Sequence, residues 1–377
     1  MLYFDAAATT LEKPESVGRA MARASREMTS PGRGGHRAAR LAEETAFACR
    51  TEAGALFGAA PEQVIFTSNA THGLNIAIDT LVRPGSRVIV SGYEHNAVMR
   101  PLYAIPGVQI IVASAPLFAP QETVEAFERA IGKGADAVIV NHISNVFGTI
   151  QPVDEIAALC RRYGVPLIVD ASQSAGALPV DLKGWGAAFV GLPGHKGLYG
   201  PQGTGLLLCG VPGEPLLFGG TGSASLEKGM PESLPDRLEA GTHNMPGIAG
   251  LLEGIRFVRK TGIRRIAEHE RAMIQRIVKR LASWEGIRVF AAEDPQRQGG
   301  VLSFTVEGMD SEQVASALAR HGVAVRAGLH CAPLAHQTAG TLPDGTVRIS
   351  VSAFSTAQNA DRLCEILWQI LHENVTD

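Results

Sequence analysis

The 377-residue chain is 45% hydrophobic and 19% charged, with a formal net charge of −3. It is long enough for two domains with separate cores, and its charge balance speaks against nucleic acid or an anionic membrane as the main partner. Its five cysteines (Cys49, Cys160, Cys209, Cys331 and Cys364) are scattered and form no C-x-x-C pair. A disulfide framework or structural zinc site is therefore not expected, and a reducing, cytoplasmic setting is. No signal-peptide pattern or bilayer-length apolar run is present.

In chain order, Pro14 to about Met28 reads as a helix. The Gly-rich loop Ser30-Pro-Gly-Arg-Gly-Gly-His36 follows, and its Arg33 belongs either to a connector or to a substrate-site loop. A long helix is expected from Arg37 to Phe57. From 63 to 209, short apolar strands (64–66, 87–90, 108–112, 135–140, 166–170, 187–190, 204–208) alternate with helices (71–81, 121–131, 153–163). That alternation predicts an α/β fold with a large, mostly parallel sheet covered on both faces. Ligands of such sheets bind beyond the carboxyl ends of the strands. The division expected is a large domain over 1–245, connecting helices over 246–284 with a break near Gly262, and a small α/β domain over 285–377.

Lys196 stands out. It follows an apolar strand and sits among small residues, Leu192-Pro-Gly-His-Lys-Gly-Leu-Tyr-Gly200. A desolvated lysine has a lowered pKa and a usable amine, as Schiff-base chemistry requires. Asp170, at a neighbouring strand end in Asp170-Ala-Ser-Gln173, suits the pyridine nitrogen of pyridoxal phosphate (PLP). Thr67-Ser-Asn-Ala-Thr71 opens a helix, either as a phosphate-binding turn or as a helix cap. His95, after Glu94 at a strand end, is either a structural histidine or, beside a cofactor, a ring that stacks on it and shuttles protons. Asn145 closes the polar run after the strand at 135–140. Cys331 lies in Arg326-Ala-Gly-Leu-His-Cys-Ala332, where Arg326 and His330 would favour its thiolate. Arg326 and Arg348 are candidates for a substrate carboxylate or for a domain-interface ion pair.

Together Glu94-His95, His142-Ile-Ser-Asn-Val-Phe-Gly148, Asp170-Ala-Ser-Gln173, Gly194-His-Lys196, Glu239-Ala-Gly-Thr242 and Arg326 to Ala332 resemble the class V aminotransferase-like PLP enzymes, and within them the cysteine desulfurases. The resemblance runs from Asp5 to about Leu363 and implies a PLP-dependent transferase fold of the aspartate aminotransferase type. It implies Lys196 as the lysine that carries the cofactor, Asp170 on the pyridine nitrogen, Gln173 on the phenolic oxygen and His95 over the ring. Thr71, His195 and, from a second subunit of a homodimer, Thr242 would hold the phosphate. Asn145 and Arg348, with Arg326 and Arg33, would surround the substrate carboxylate. Cys331 would accept sulfur from L-cysteine as a persulfide, leaving alanine, and pass it to a sulfur-acceptor protein.

The short loop around Cys331 is similar to group II desulfurases, which include selenocysteine lyases. Other class V enzymes acting on amino acids without sulfur, and a non-catalytic PLP-fold partner protein, are the remaining alternatives. Three departures stand out: Pro193 where the family often has Ser, Asn69-Ala-Thr-His72 in the phosphate turn, and Leu329 for the first His of Gly-His-His-Cys.

Overall fold

A computed structural model of the chain describes residues 1–32 and 34–373. Seven strands form the larger sheet, in the order Val64–Thr67, Gly205–Cys209, Phe189–Pro193, Leu167–Asp170, Ala137–Asn141, Arg87–Ser91 and Gln109–Ala113. Only Gly205–Cys209 runs antiparallel to its neighbours, so the sheet is mixed and mostly parallel. The central strands are apolar at nearly every position because helices cover both faces, which removes the usual in–out alternation.

The covering helices follow from their spacing and caps. Arg37–Phe57 buries Ala39, Ala42, Ala46, Cys49, Ala53 and Phe57, begins on the His36 side chain and ends at left-handed Gly58. With Pro120–Ile131, Val153–Tyr163 and Met245–Thr261 it packs against one face. Ala70–Leu81 and Asn96–Ala104 pack against the other.

A third core is built on the antiparallel sheet Arg326–Gly328, Thr346–Ser350, Val301–Val306 and Ile287–Phe290. Helices Ile263–Leu281, Ser311–Arg320 and Ala357–Glu373 cover it. Phe4 is buried in this core, because Leu2–Tyr3 pairs in parallel with Val323–Ala324. The N-terminal segment therefore crosses from this third core to the Lys196 turn, where the Thr10 N–H bonds the His195 carbonyl. Among the described residues, no helix is long and apolar enough to cross a membrane.

Two expectations need correction. The single strand expected over 323–326 is two short strands in different sheets, Val323–Ala324 beside the N-terminus and Arg326–Gly328 beside Thr346–Ser350. A helix, Asn96–Ala104, directly follows His95 where none was expected. Pro101 inside it removes one backbone donor, which hides the helix from pattern reading.

Candidate active site

The carboxyl ends of the parallel strands converge on one small cavity. Thr71, His95, Asn141, Asn145, Asp170, Gln173, Pro193, His195 and Lys196 line it. Seven of the sequence-predicted residues thus meet here from six different elements or turns.

Lys196 follows Phe189–Pro193 in a turn that lies against the turn after Asp170 with no room for side chains. A Cβ on Gly197 would come within 2.4 Å of the Ala175 carbonyl, and one on Gly176 within 2.0 Å of the Gly197 carbonyl. Gly176 also has a left-handed φ of 90°. These two glycines, which the sequence motifs do not single out, fix Lys196 relative to Asp170. Burial lowers the Lys196 pKa to about 8, partly offset by the Asp170 carboxylate and reinforced by Arg348. Its amine makes no hydrogen bond among the described residues.

Asp170 is buried, and one oxygen accepts the Ser172 N–H at 2.9 Å; its second oxygen has no hydrogen-bond partner among the described residues. His95 accepts the Ala97 N–H on Nδ1 at 2.9 Å, and burial lowers its pKa to about 4. The neutral ring therefore carries its proton on Nε2. Behind it, buried Glu94 accepts the Asn141 N–H at 2.8 Å and the Ser91 hydroxyl, tying two strand ends together. Gln173 donates one amide hydrogen to the Ala7 carbonyl at 3.0 Å and keeps the other free.

Asn69, not Ser68 or Thr71, caps helix Ala70–Leu81, by accepting the His72 N–H at 2.9 Å. Thr71 is exposed in the first turn, where unpaired N–H groups and the positive helix end favour an anion. His195 presents a buried, unpartnered Nδ1 and is held neutral, its pKa lowered to about 4 by burial.

Thr242 does not reach this cavity within one chain. It lines a separate one with His72, Gly203 and Leu217. Glu239 anchors that loop through a bidentate ion pair with Arg50 at 2.6 and 2.8 Å and the Phe66 N–H at 2.6 Å. Arg33 lies outside the described residues.

Cys331 is exposed, and both it and His330 have left-handed backbones, φ 55° and 51°. The strained pair is held from two sides. Asn145 donates its amide to the His330 carbonyl at 2.8 Å, and the Asn96 N–H bonds the Cys331 carbonyl at 2.8 Å. Ala332 is fully buried against Tyr93, Phe147 and Phe290. The expectation that His330 adds positive charge beside the thiol is wrong. His330 is stacked on His336 at 5.7 Å, and burial lowers its pKa to about 2, so it is neutral. The second cation, Arg326, is paired with Asp5 at 2.9 Å.

Arg348 is buried; it donates to the Asn145 carbonyl at 3.0 Å and to Asp5 at 2.8 Å, while its Nε is buried without a partner. Arg326 stays half exposed, and neither arginine is among the residues lining the Lys196 cavity.

The site thus combines a mixed α/β sheet bearing a lysine and a carboxylate at neighbouring strand ends with a cysteine loop, from a second sheet, bonded to Asn145 and Asn96. Residues 2–363 match the aminotransferase class-V family model, and the chain belongs to that family. Members generally depend on PLP. The residues fit that group: an unhydrogen-bonded lysine, a free carboxylate oxygen, a neutral stacking ring and an unpartnered His195 nitrogen face one cavity.

Among relatives, the chain is 35% identical to a probable cysteine desulfurase of Methanothermobacter thermautotrophicus, covering 98% of this chain and 94% of that one. It is 31% identical to a probable cysteine desulfurase of Pyrococcus abyssi, covering 98% and 94%. Its fold is similar to the apo structure of a cysteine desulfurase from Thermococcus onnurineus, with TM-score 0.91, 30% identity and coverage of 99% and 95%. It is also similar to the cysteine desulfurase CsdA (S-sulfonic acid) of Escherichia coli, with TM-score 0.87, 26% identity and coverage of 99% and 95%.

Proposed function

We propose that this chain is a PLP-dependent cysteine desulfurase that converts L-cysteine to L-alanine and keeps the sulfur as a persulfide on Cys331. The observation that carries this reading is the Cys331 loop: an exposed thiol on strained backbone, bonded to Asn145 and Asn96 at the edge of the Lys196 cavity. Such strain persists only where the surroundings hold it, and it clusters at functional sites.

Bound at Lys196, PLP supplies an electron sink for the pair left when the amino acid loses its α-proton. The chain supplies the rest. Lys196, whose pKa burial lowers to about 8, holds and returns protons at the substrate's Cα. With the cofactor bound, Asp170 would keep a proton on its ring nitrogen and Gln173 would offer its free amide hydrogen to the phenolic oxygen. His95 would face the ring as a neutral donor, and Thr71, with the helix end, and His195 would hold the phosphate.

Arg348 and Asn145 take the α-carboxylate, and Arg326 is tied to Arg348 through Asp5. The Cys331 thiolate attacks the substrate sulfur, forming an S–S bond as the Cβ–S bond breaks. The bonding pair passes to Cβ, which takes a proton. The balance is one thiol plus cysteine giving one persulfide plus alanine. An acceptor thiol, small or on a protein, then takes the sulfane sulfur.

The separate cavity around Thr242, with Phe218 and Leu226 exposed on the neighbouring loop, supports a homodimer in which Thr242 serves the other subunit's phosphate. The test is alanine and sulfide release from cysteine by the holoenzyme, with and without an added thiol. Lys196→Ala should abolish cofactor colour and activity. Cys331→Ala should keep the colour and lose desulfuration of cysteine. Full activity of Cys331→Ala on cysteine would overturn the persulfide step. Activity retained by that variant on selenocysteine alone would point to a selenocysteine lyase.

A further inference from the structure

The two arginines predicted near the substrate carboxylate are not free. Arg326 and Arg348 are directly paired across adjacent antiparallel strands. Like charges opposite each other repel. Asp5 lies between them: its Oδ1 accepts Arg348 Nη2 at 2.8 Å and its Oδ2 accepts Arg326 Nη2 at 2.9 Å and Nε at 3.1 Å. Both carboxylate oxygens are used. Arg348 Nη1 is spent on the Asn145 carbonyl at 3.0 Å, which leaves Nε as its one buried, unpartnered donor.

The segment that carries Asp5 is fixed at both ends. Tyr3 donates its hydroxyl to the carbonyls of Asp5 and Thr9, the Ala7 N–H bonds Ser350, and Thr10 donates its N–H and hydroxyl to the His195 carbonyl. Asp5 is thus held against the Lys196 turn on one side and the strand leading to Cys331 on the other.

We propose that Asp5 is a positioning residue for the substrate carboxylate: it turns Arg348 so that Nε and the remaining Nη2 hydrogen form the carboxylate-binding edge, and it locks Arg348 to Arg326 on the strand that enters the Cys331 loop. This rests on the desulfurase reading in placing the α-carboxylate at Arg348. Two effects of removing Asp5 oppose each other. Losing its charge makes the site more positive, which would strengthen the binding of any anion. Losing its hydrogen bonds frees a buried guanidinium to turn, which weakens a directional contact. Charge-assisted bidentate contacts depend on geometry, so orientation should dominate.

The experiment compares ligands with and without a carboxylate on the holoenzyme of Asp5→Asn and wild type. L-Alanine carries the carboxylate without the thiol, and 2-aminoethanethiol carries the thiol without the carboxylate. Affinities are read from the cofactor absorbance, and the KM and kcat for cysteine from alanine release. Asp5→Asn should weaken alanine binding and raise the KM for cysteine by roughly tenfold or more, as for loss of a charged hydrogen bond. The affinity for 2-aminoethanethiol should stay unchanged. Asp5→Glu, which keeps the charge at a shifted position, should show the same preference at smaller size, and it carries the test should Asp5→Asn not fold.

Equal losses for both ligands would mean general loosening and overturn the proposal. Unchanged or tighter alanine binding would reduce Asp5 to charge neutralisation and overturn it as well. If wild type releases no alanine from cysteine, the desulfurase reading fails, and the alanine comparison still decides the role of Asp5.

Discussion

Asn145 bonds the Cys331 loop and Arg348 at once: its side chain donates to the His330 carbonyl at 2.8 Å, and its own carbonyl accepts Arg348 Nη1 at 3.0 Å. One residue beyond a strand of the large sheet thereby sets where a loop and an arginine of the small sheet sit. Asn145→Ala removes the first bond and keeps the second, which is backbone. The left-handed pair His330-Cys331 then loses one of its two tethers. Stability should fall by only about 1 kcal/mol. Cofactor binding should be retained, while persulfide formation on Cys331 at saturating cysteine, followed by mass spectrometry after a single turnover, slows at least tenfold. Unchanged persulfide kinetics would show that the Asn96 N–H alone holds the loop.

Lys196 gives a pH prediction. Its ammonium is destabilised by burial to a pKa of about 8. The neutral amine, the form able to capture an aldehyde, therefore becomes the major species above about pH 8, well below the ordinary lysine range. Uptake of PLP by the apoprotein, followed by absorbance, should accelerate from pH 6.5 and level off above 8. A rate still climbing in proportion to hydroxide at pH 10 would mean that Lys196 is not desolvated in the apoprotein.

The contact between Gly197 and the Ala175 carbonyl makes a sharper structural claim. A Cβ at 2.4 Å from a backbone oxygen cannot be relieved by a rotamer change, so the two turns must part. Gly197→Ala should lower stability by roughly 1–3 kcal/mol, in the range for overpacking, and should weaken PLP retention more than it weakens folding. Thermal melts of apo- and holoprotein separate the two effects. Equal shifts in both forms would show that the contact supports the fold without positioning Lys196.

Much of this arrangement was legible before any coordinates. Runs such as Ala137–Asn141 and Leu167–Asp170 read as buried parallel strands because both faces are covered. Their polar terminal residues read as a site because strand ends open into a crevice. Distances between sequence-remote groups were not legible. Nothing near Asp5 indicates that it meets Arg348, since that meeting depends on Leu2–Tyr3 pairing in parallel with Val323–Ala324. His330 looked cationic from its neighbours alone; its neutrality comes from burial on His336, which no spacing rule reveals. Helix Asn96–Ala104 was hidden by Pro101, where tertiary packing overrides a local breaker. The resemblance implies Thr242 at the other subunit's phosphate, and within one chain it lines another cavity.

Glu270 carries no part of the proposed chemistry and yields a separate prediction. It is buried at the junction of the two cores, lining a cavity with Gln173, Tyr199 and Gly300, and has no hydrogen bond or ion pair among the described residues. Burial raises its pKa to about 8, from 4.5 in an unfolded chain. Below pH 4.5 both states hold the proton. Between 4.5 and 8 the unfolded chain releases it and the native state keeps it, so each pH unit removes about 1.4 kcal/mol of stability. Glutamine has the same shape and does not titrate. Glu270→Gln should therefore be more stable than wild type, with a gain that grows from pH 5 to pH 8 and is flat beyond. Glu94, whose pKa burial likewise raises to about 8, contributes the same slope to both proteins and cancels in the difference. Denaturant unfolding at pH 5, 6.5 and 8 measures the gain. A difference independent of pH would show that Glu270 finds a partner, such as a water or a cation, that keeps it ionised in the folded protein.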